Sequence, residues 1–174
     1  MTKPVVYCGC DPGAHTALVG VKDGVFVWGY GQIQGSYLAR IEFLQLLISK
    51  FGTRTEAAYP GENTLVWTIG KAWIGKYRGA GLKLSATTSA TRMAIVQSGG
   101  EDTEEMGDSV ARKVVTGYGG CDKDKICDFL WSQYWPGIPR LKNGAINTHV
   151  ADAAIFALAR ASREGVNIWD WKVK

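Results

Sequence analysis

Three carboxylates, Asp11, Glu56 and Asp152, fall where a fold tends to expose acidic groups together. Asp11 lies just past a first apolar run, Glu56 within a short later run, and Asp152 in the first turn of a final helical stretch; the ends of adjacent strands are where working groups are commonly gathered. His149 stands three residues before Asp152, which puts both side chains on one helix face. Carboxylates crowded without a cation disfavour one another's ionisation, and a hard divalent ion removes that conflict by taking their oxygens along with water and phosphate. Two such ions about 3.5 to 4 Å apart can activate a water and stabilise the leaving oxygen of a phosphodiester. Each residue alone has an ordinary reading as well. Asp11 before Pro12-Gly13 is turn chemistry, Glu56 suits a solvated strand face, Asp152 is favoured near a helix N-terminus, and His149 suits a polar surface.

The elements that must position these groups follow from patterning. Residues 5–10 read as a strand ending in the Asp11-Pro12-Gly13 turn. Residues 17–21 and 25–30 flank Lys22-Asp23-Gly24, the signature of a hairpin, so three antiparallel strands come first. Leu38, Ile41, Leu44, Leu47, Ile48 and Phe51 recur at helical spacing, with Ser36 able to cap the start and Gly52 the end. Residues 54–59 then read as a fourth strand stopped by Pro60-Gly61, Leu65, Ile69, Ala72 and Lys76 as a second helix, and residues 82–86 as a fifth strand. The remainder is helical, over residues 89–97, to about Val115, around Ile126 to Tyr134, and over residues 148–164. A Gly- and acid-rich loop at 99–107 interrupts it. This order implies an α/β (mixed α+β) domain built on one five-stranded mixed sheet flanked by helices.

The chain has 174 residues, which fits one domain. Its 46% hydrophobic and 21% charged residues exclude a disordered or low-complexity protein. No apolar run reaches the roughly 20 residues of a membrane span, and no secretory signal pattern is present, so an intracellular protein without a membrane partner is expected. Cys8, Cys10, Cys121 and Cys127 match no common zinc spacing and read as reduced thiols. The excess of 20 Lys and Arg over 16 Asp and Glu, net +4, permits a polyanion partner without demanding one.

Four segments in order make the chain resemble the RuvC family of Holliday junction resolvases, within the RNase H-like superfamily. They are Cys10-Asp11-Pro12-Gly13; Thr55-Glu56-Ala57-Ala58-Tyr59; Val115-Thr116-Gly117-Tyr118-Gly119 followed by Asp122-Lys123; and His149-Val150-Ala151-Asp152-Ala153. The VTGxG segment with its following lysine is the specific one, and Ile74-Gly75-Lys76-Tyr77-Arg78-Gly79 adds a further similarity. The resemblance implies an RNase H-like fold in which Asp11, Glu56, His149 and Asp152 hold two Mg²⁺ ions. His149 makes Mn²⁺ an alternative, and also suits a water-orienting or general-base role. Lys123 would lie near the scissile phosphate, with either Arg112 or Lys113 as a second basic residue. Tyr59 would stack on unpaired bases.

Lys76, Arg78, Arg112, Lys113, Lys123 and Lys125 would then rim the acidic centre as DNA contacts, with Lys71 and Lys83 equally suited to a solvated surface. The approximate two-fold symmetry of a four-way junction fits a homodimer, with the expected helix bearing Leu65, Ile69 and Trp73 as its interface. The implied function is metal-dependent, structure-selective endonucleolytic resolution of four-way junctions by paired phosphodiester hydrolysis. The alternatives are an RNase H-like nuclease for other branched DNA or RNA–DNA hybrid, a non-catalytic junction-binding module, and a zinc adaptor.

Overall fold

The computed structural model describes residues 3–33, 36–71, 78–98, 100 and 102–173. Three strands open the chain: β1 (Val5–Asp11), β2 (His15–Lys22) and β3 (Val25–Gln32). They pair antiparallel through the turn at Asp23-Gly24, where both residues take positive φ as Asp-Gly hairpins require. Strands β4 (Thr64–Gly70) and β5 (Asp102–Met106) then add parallel to β1, giving the order β3-β2-β1-β4-β5.

Alternation along β1 sorts its side chains to two faces. Val6, Cys8 and Cys10 join the core under helices α1 (Tyr37–Ala58) and α2 (Arg78–Gln97), with Leu44, Phe51, Trp67 and Ile95. Tyr7 faces the other core, built around α5 (Thr148–Arg163), onto which α3 (Asp108–Thr116) and α4 (Lys123–Gln133) pack. A short 3-10 turn at Ile168–Trp171 closes that side.

The approach of α5 to β1 is set by small residues. A Cβ on Gly9 would come 1.9 Å from the Ala153 carbonyl oxygen and 2.6 Å from the Ala157 nitrogen. Only glycine lets the helix backbone lie on the strand at that distance. Ala153, Ala154, Ala157 and Ala161 are all buried, so an alanine-rich helix does what a bulkier one could not. Asp11, two residues beyond Gly9, points to the same face and meets the first turn of α5.

The five-strand mixed sheet agrees with the sequence, but two of its strands are not where the pattern put them. The 54–59 strand is instead the end of α1. Gly52 does not stop that helix: it is not among the glycines that take the positive φ of a helix C-cap, and beyond it the Thr53 and Thr55 hydroxyls donate to the Ser49 and Phe51 carbonyls one turn back. Tyr59 caps the helix and Pro60 ends it. The expected helix at Leu65 and Ile69 is β4, with Leu65, Trp67 and Ile69 on the α1 face and Val66 on the α5 face. Residues 82–86 lie inside α2, and the fifth strand falls in the acid-rich segment expected to be a loop. Trp73 lies outside the described residues, and Leu65 and Ile69 belong to the sheet, so the helix expected to form the dimer interface does not exist as drawn.

Candidate active site

Asp11 ends β1, and its Oδ2 lies 2.7 Å from Nδ1 of His149. Asn147 fixes the start of α5, its Oδ1 accepting the backbone N–H groups of His149 and Val150. One turn on, Asp152 is nearly buried, and both its oxygens are engaged. Nη2 of Arg112 donates to Oδ1 at 3.2 Å and Nζ of Lys123 to Oδ2 at 2.6 Å. Arg112 is itself held by donation to the Cys121 carbonyl at 3.0 Å, and the same Nη2 lies 3.8 Å from Asp108 Oδ2 in the first turn of α3. Asp108 and Asp152 thus flank one guanidinium nitrogen.

The electrostatics follow from this crowding. Burial pushes the Asp11 carboxyl above its ordinary range; the hydrogen bond from His149 opposes the rise and the charge of Asp152 adds to it. Asp108 is raised by burial first and then by Asp152. Burial opposes the charge on Lys123, yet its hydrogen bond to Asp152 and the fields of Asp152, Asp11 and Asp108 hold its ammonium above the ordinary lysine value. One lysine nitrogen is therefore bonded to Asp152 and feels the charges of Asp11 and Asp108 as well.

The sequence-expected residues divide sharply. Asp11, His149, Asp152 and Lys123 come together, and of the pair Arg112 and Lys113 it is Arg112 that reaches the site, Lys113 facing solvent. Lys125 is 74% exposed and pairs with Asp122. Arg78 starts α2, and Lys76 lies outside the described residues. Glu56 is a correction. It sits exposed in the last turn of α1, beside Leu65, Trp67 and Gly100. Leu65 pairs with Val6, five residues from Asp11, so Glu56 lies about 15 Å away along the sheet. Tyr59 is the second correction. It is 7% exposed, and its hydroxyl donates to the Val25 carbonyl at 2.5 Å in the β2–β3 turn. A buried, bonded tyrosine at that end of the sheet has no face to offer a base.

No carboxylate of β4 replaces Glu56. Gly70 ends that strand, and a Cβ there would meet the Phe156 ring at 2.8 Å. The third carboxylate at the site is Asp108, which patterning placed at the edge of a loop. The other residues that sequence reading passed over are His15 and Tyr30. His15 stacks on His149 with ring centroids 5.3 Å apart. Both were legible from the hairpin: alternation puts His15 and Tyr30 on the face shared by Ala17, Val19 and α5.

Among the described residues no three acidic, histidine or cysteine side chains converge on one point as a ligand shell. The donor chemistry still fits a hard cation, because the Asp11 and Asp152 carboxylates and an imidazole gather at one end of β1, and Asp152 already takes a cationic partner in Lys123 at 2.6 Å. Asp11, Asp152 and the free Nε2 of His149 are the groups that would hold a metal, with Asp108 beside them.

No family model matches the sequence, and no curated protein does. Solved structures do. The Thermus thermophilus RuvC structure superposes with a TM-score of 0.62 at 17% identity, covering 92% of this chain and 97% of that one. T. thermophilus RuvC in complex with a Holliday junction substrate gives 0.65 at 16% identity, covering 92% and 96%. The chain has the RuvC fold. On that fold, Asp11, His149 and Asp152 sit where the last helix crosses the C-terminal end of the first strand. No described helix is long and apolar enough to cross a membrane.

Proposed function

We propose that this protein is a divalent-metal-dependent, structure-selective endonuclease that resolves four-way DNA junctions, acting as a homodimer whose two sites address strands of like polarity. The observation that carries the reading is the convergence of Asp11, His149, Asp152 and Lys123 at one end of β1. The Holliday junction bound to the T. thermophilus neighbour of the same fold supports the choice of substrate.

Mg²⁺, or Mn²⁺ given the imidazole, supplies Lewis acidity and an activated water when bound. In place of Glu56, Asp108 would join Asp11 and Asp152 in holding the ions that the family resemblance implies. The remaining work belongs to the chain. Asp11 accepts the Nδ1 proton of His149 and fixes its tautomer, which leaves Nε2 as the nitrogen that ligates or takes a proton. Lys123, half exposed, offers its ammonium to a phosphate oxygen where negative charge develops. Arg112, nearly buried, anchors Asp152 instead. Lys113 and Lys125 supply exposed charge for the phosphate backbone. Tyr118 takes the stacking role that Tyr59 cannot fill. It is 67% exposed on the loop between Arg112 and Lys123, and the Thr116 hydroxyl, which accepts its N–H at 3.2 Å, holds that loop in place.

The test is a cleavage panel of four-way junction, flap, RNA–DNA hybrid and linear duplex with Mg²⁺ and with Mn²⁺, run on wild type and Asp11→Asn. Junction cutting by wild type alone, with junction binding kept by the variant, is expected; full activity of Asp11→Asn excludes the mechanism. A second reading, a non-catalytic junction-binding module, draws on Asp152, whose two oxygens are already neutralised by Arg112 and Lys123. It predicts junction binding without metal-stimulated turnover.

A further inference from the structure

One hydrogen bond tolerates a range of angles and the torsion beyond Cβ of a histidine is broad, so the single Asp11 contact holds the ring plane of His149 only loosely. A second set of contacts fixes it. The His15 ring lies against His149 with centroids 5.3 Å apart and planes 20° from parallel. Tyr30 lies 6.4 Å from His149 at 23°, and 6.1 Å from His15 at 6°. The Tyr30 hydroxyl and Nδ1 of His15 are 2.9 Å apart, within hydrogen-bond distance. The three ring planes are therefore nearly parallel.

The mounting of this stack is rigid. His15 pairs with Gln32 and Ala17 with Tyr30, so His15 and Tyr30 are diagonal neighbours on one face of the β2–β3 ladder. Neither ring is deep core filler, since both are only partly covered, and His149 is 35% exposed. A side chain carried by α5 is thus pressed between a carboxylate of β1 and an aromatic platform of the hairpin.

We propose that His15, held by Tyr30, is the positioning residue that sets the ring plane of His149 and so aims its Nε2. The proposal builds on the reading of His149 as a working group of the nuclease. Neither His15 nor Tyr30 touches the reacting atoms. They act through His149, and misplacement of a working group by about 1 Å can lower a rate on the order of a hundredfold.

The experiment compares full-length wild type, His15→Ala, His15→Phe and Tyr30→Phe by three measurements: junction affinity, single-turnover junction cleavage, and the imidazole N–H resonance that the Asp11 contact gives His149. His15→Ala is expected to slow cleavage by about 10- to 100-fold, with junction affinity within about twofold, and to lose the His149 resonance. His15→Phe, which keeps a ring in the stack, returns both rate and resonance to within about threefold of wild type. Tyr30→Phe, which removes only the hydroxyl, slows cleavage by about threefold. Wild-type rate and resonance in His15→Ala, or failure of phenylalanine to restore them, overturns the proposal. If wild type cuts no branched DNA, the nuclease reading falls on its own, and the resonance decides the matter: loss in His15→Ala with recovery in His15→Phe upholds the positioning, and an unchanged signal rejects it.

Discussion

The two ends of the central sheet carry similar chemistry to opposite effect. At the C-terminal end of β1, Asp11, Asp152, His149, Arg112 and Lys123 are partly buried and bonded to one another. At the other end, Glu56 faces solvent from the last turn of α1, while Tyr59 turns inward to the β2–β3 turn. A carboxylate and an aromatic three residues apart in a suggestive motif are not a site. What makes one is a second element brought close enough to exclude water and force the charges to share cations.

That contrast can be broken most directly by paired substitutions. Asp11→Asn should lower junction cleavage by at least about a thousandfold, whereas Glu56→Gln should leave it within about twofold; equal losses in a cleavage assay would erase the distinction between the two ends. Glycines extend the comparison to stability. Gly9→Ala, which drives a Cβ onto the Ala153 carbonyl, should cost about 3 kcal/mol or more in denaturant unfolding. Gly52→Ala, in open space within a helix, should add about 0.5 to 1 kcal/mol.

The aromatics give smaller effects. Tyr118→Ala should weaken junction binding about fivefold or more. Tyr59→Phe should leave binding unchanged and cost about 1 kcal/mol of stability, the worth of its hydrogen bond to Val25. The smallest effect is one of pH. The Asp11 carboxyl is raised above its unfolded value by burial, so burying its charged form disfavours the folded state. The stability linked to this group is fully present below the unfolded value of 3.8 and is lost as pH rises through the folded value. Asp11→Asn should therefore melt higher than wild type at neutral pH, with the gap narrowing on acidification. A variant less stable than wild type at pH 7 would refute this account of the site's strain.

Much of this architecture could be read from the chain. The β2–β3 turn, the Ser36 cap and the α5 span followed from local chemistry that tertiary contacts did not override. The middle of the chain was misread for identifiable reasons. Gly52 looked like a helix stop because glycine is a common C-cap, but burial of Phe51 and Thr55 on either side carries the helix through it, which no local pattern records. Leu65 and Ile69 fit a helical period, but the parallel pairing of β4 with β1 decided their conformation. Asp11, His149, Asp152 and Lys123 were found through motif order. Asp108 was missed because its importance comes only from where β5 delivers α3, and His15 because alternation gives its face of the hairpin but not that α5 lays His149 against it.

The bond between Asp11 and His149 joins positions 138 residues apart, and the Gly9 contact seats the helix that makes it possible. During synthesis the first strand emerges long before its partner, so the growing polypeptide cannot assemble this centre until α5 has left the ribosome. A centre arranged this way is incomplete while nascent, because His149 and Asp152 arrive with the helix made last.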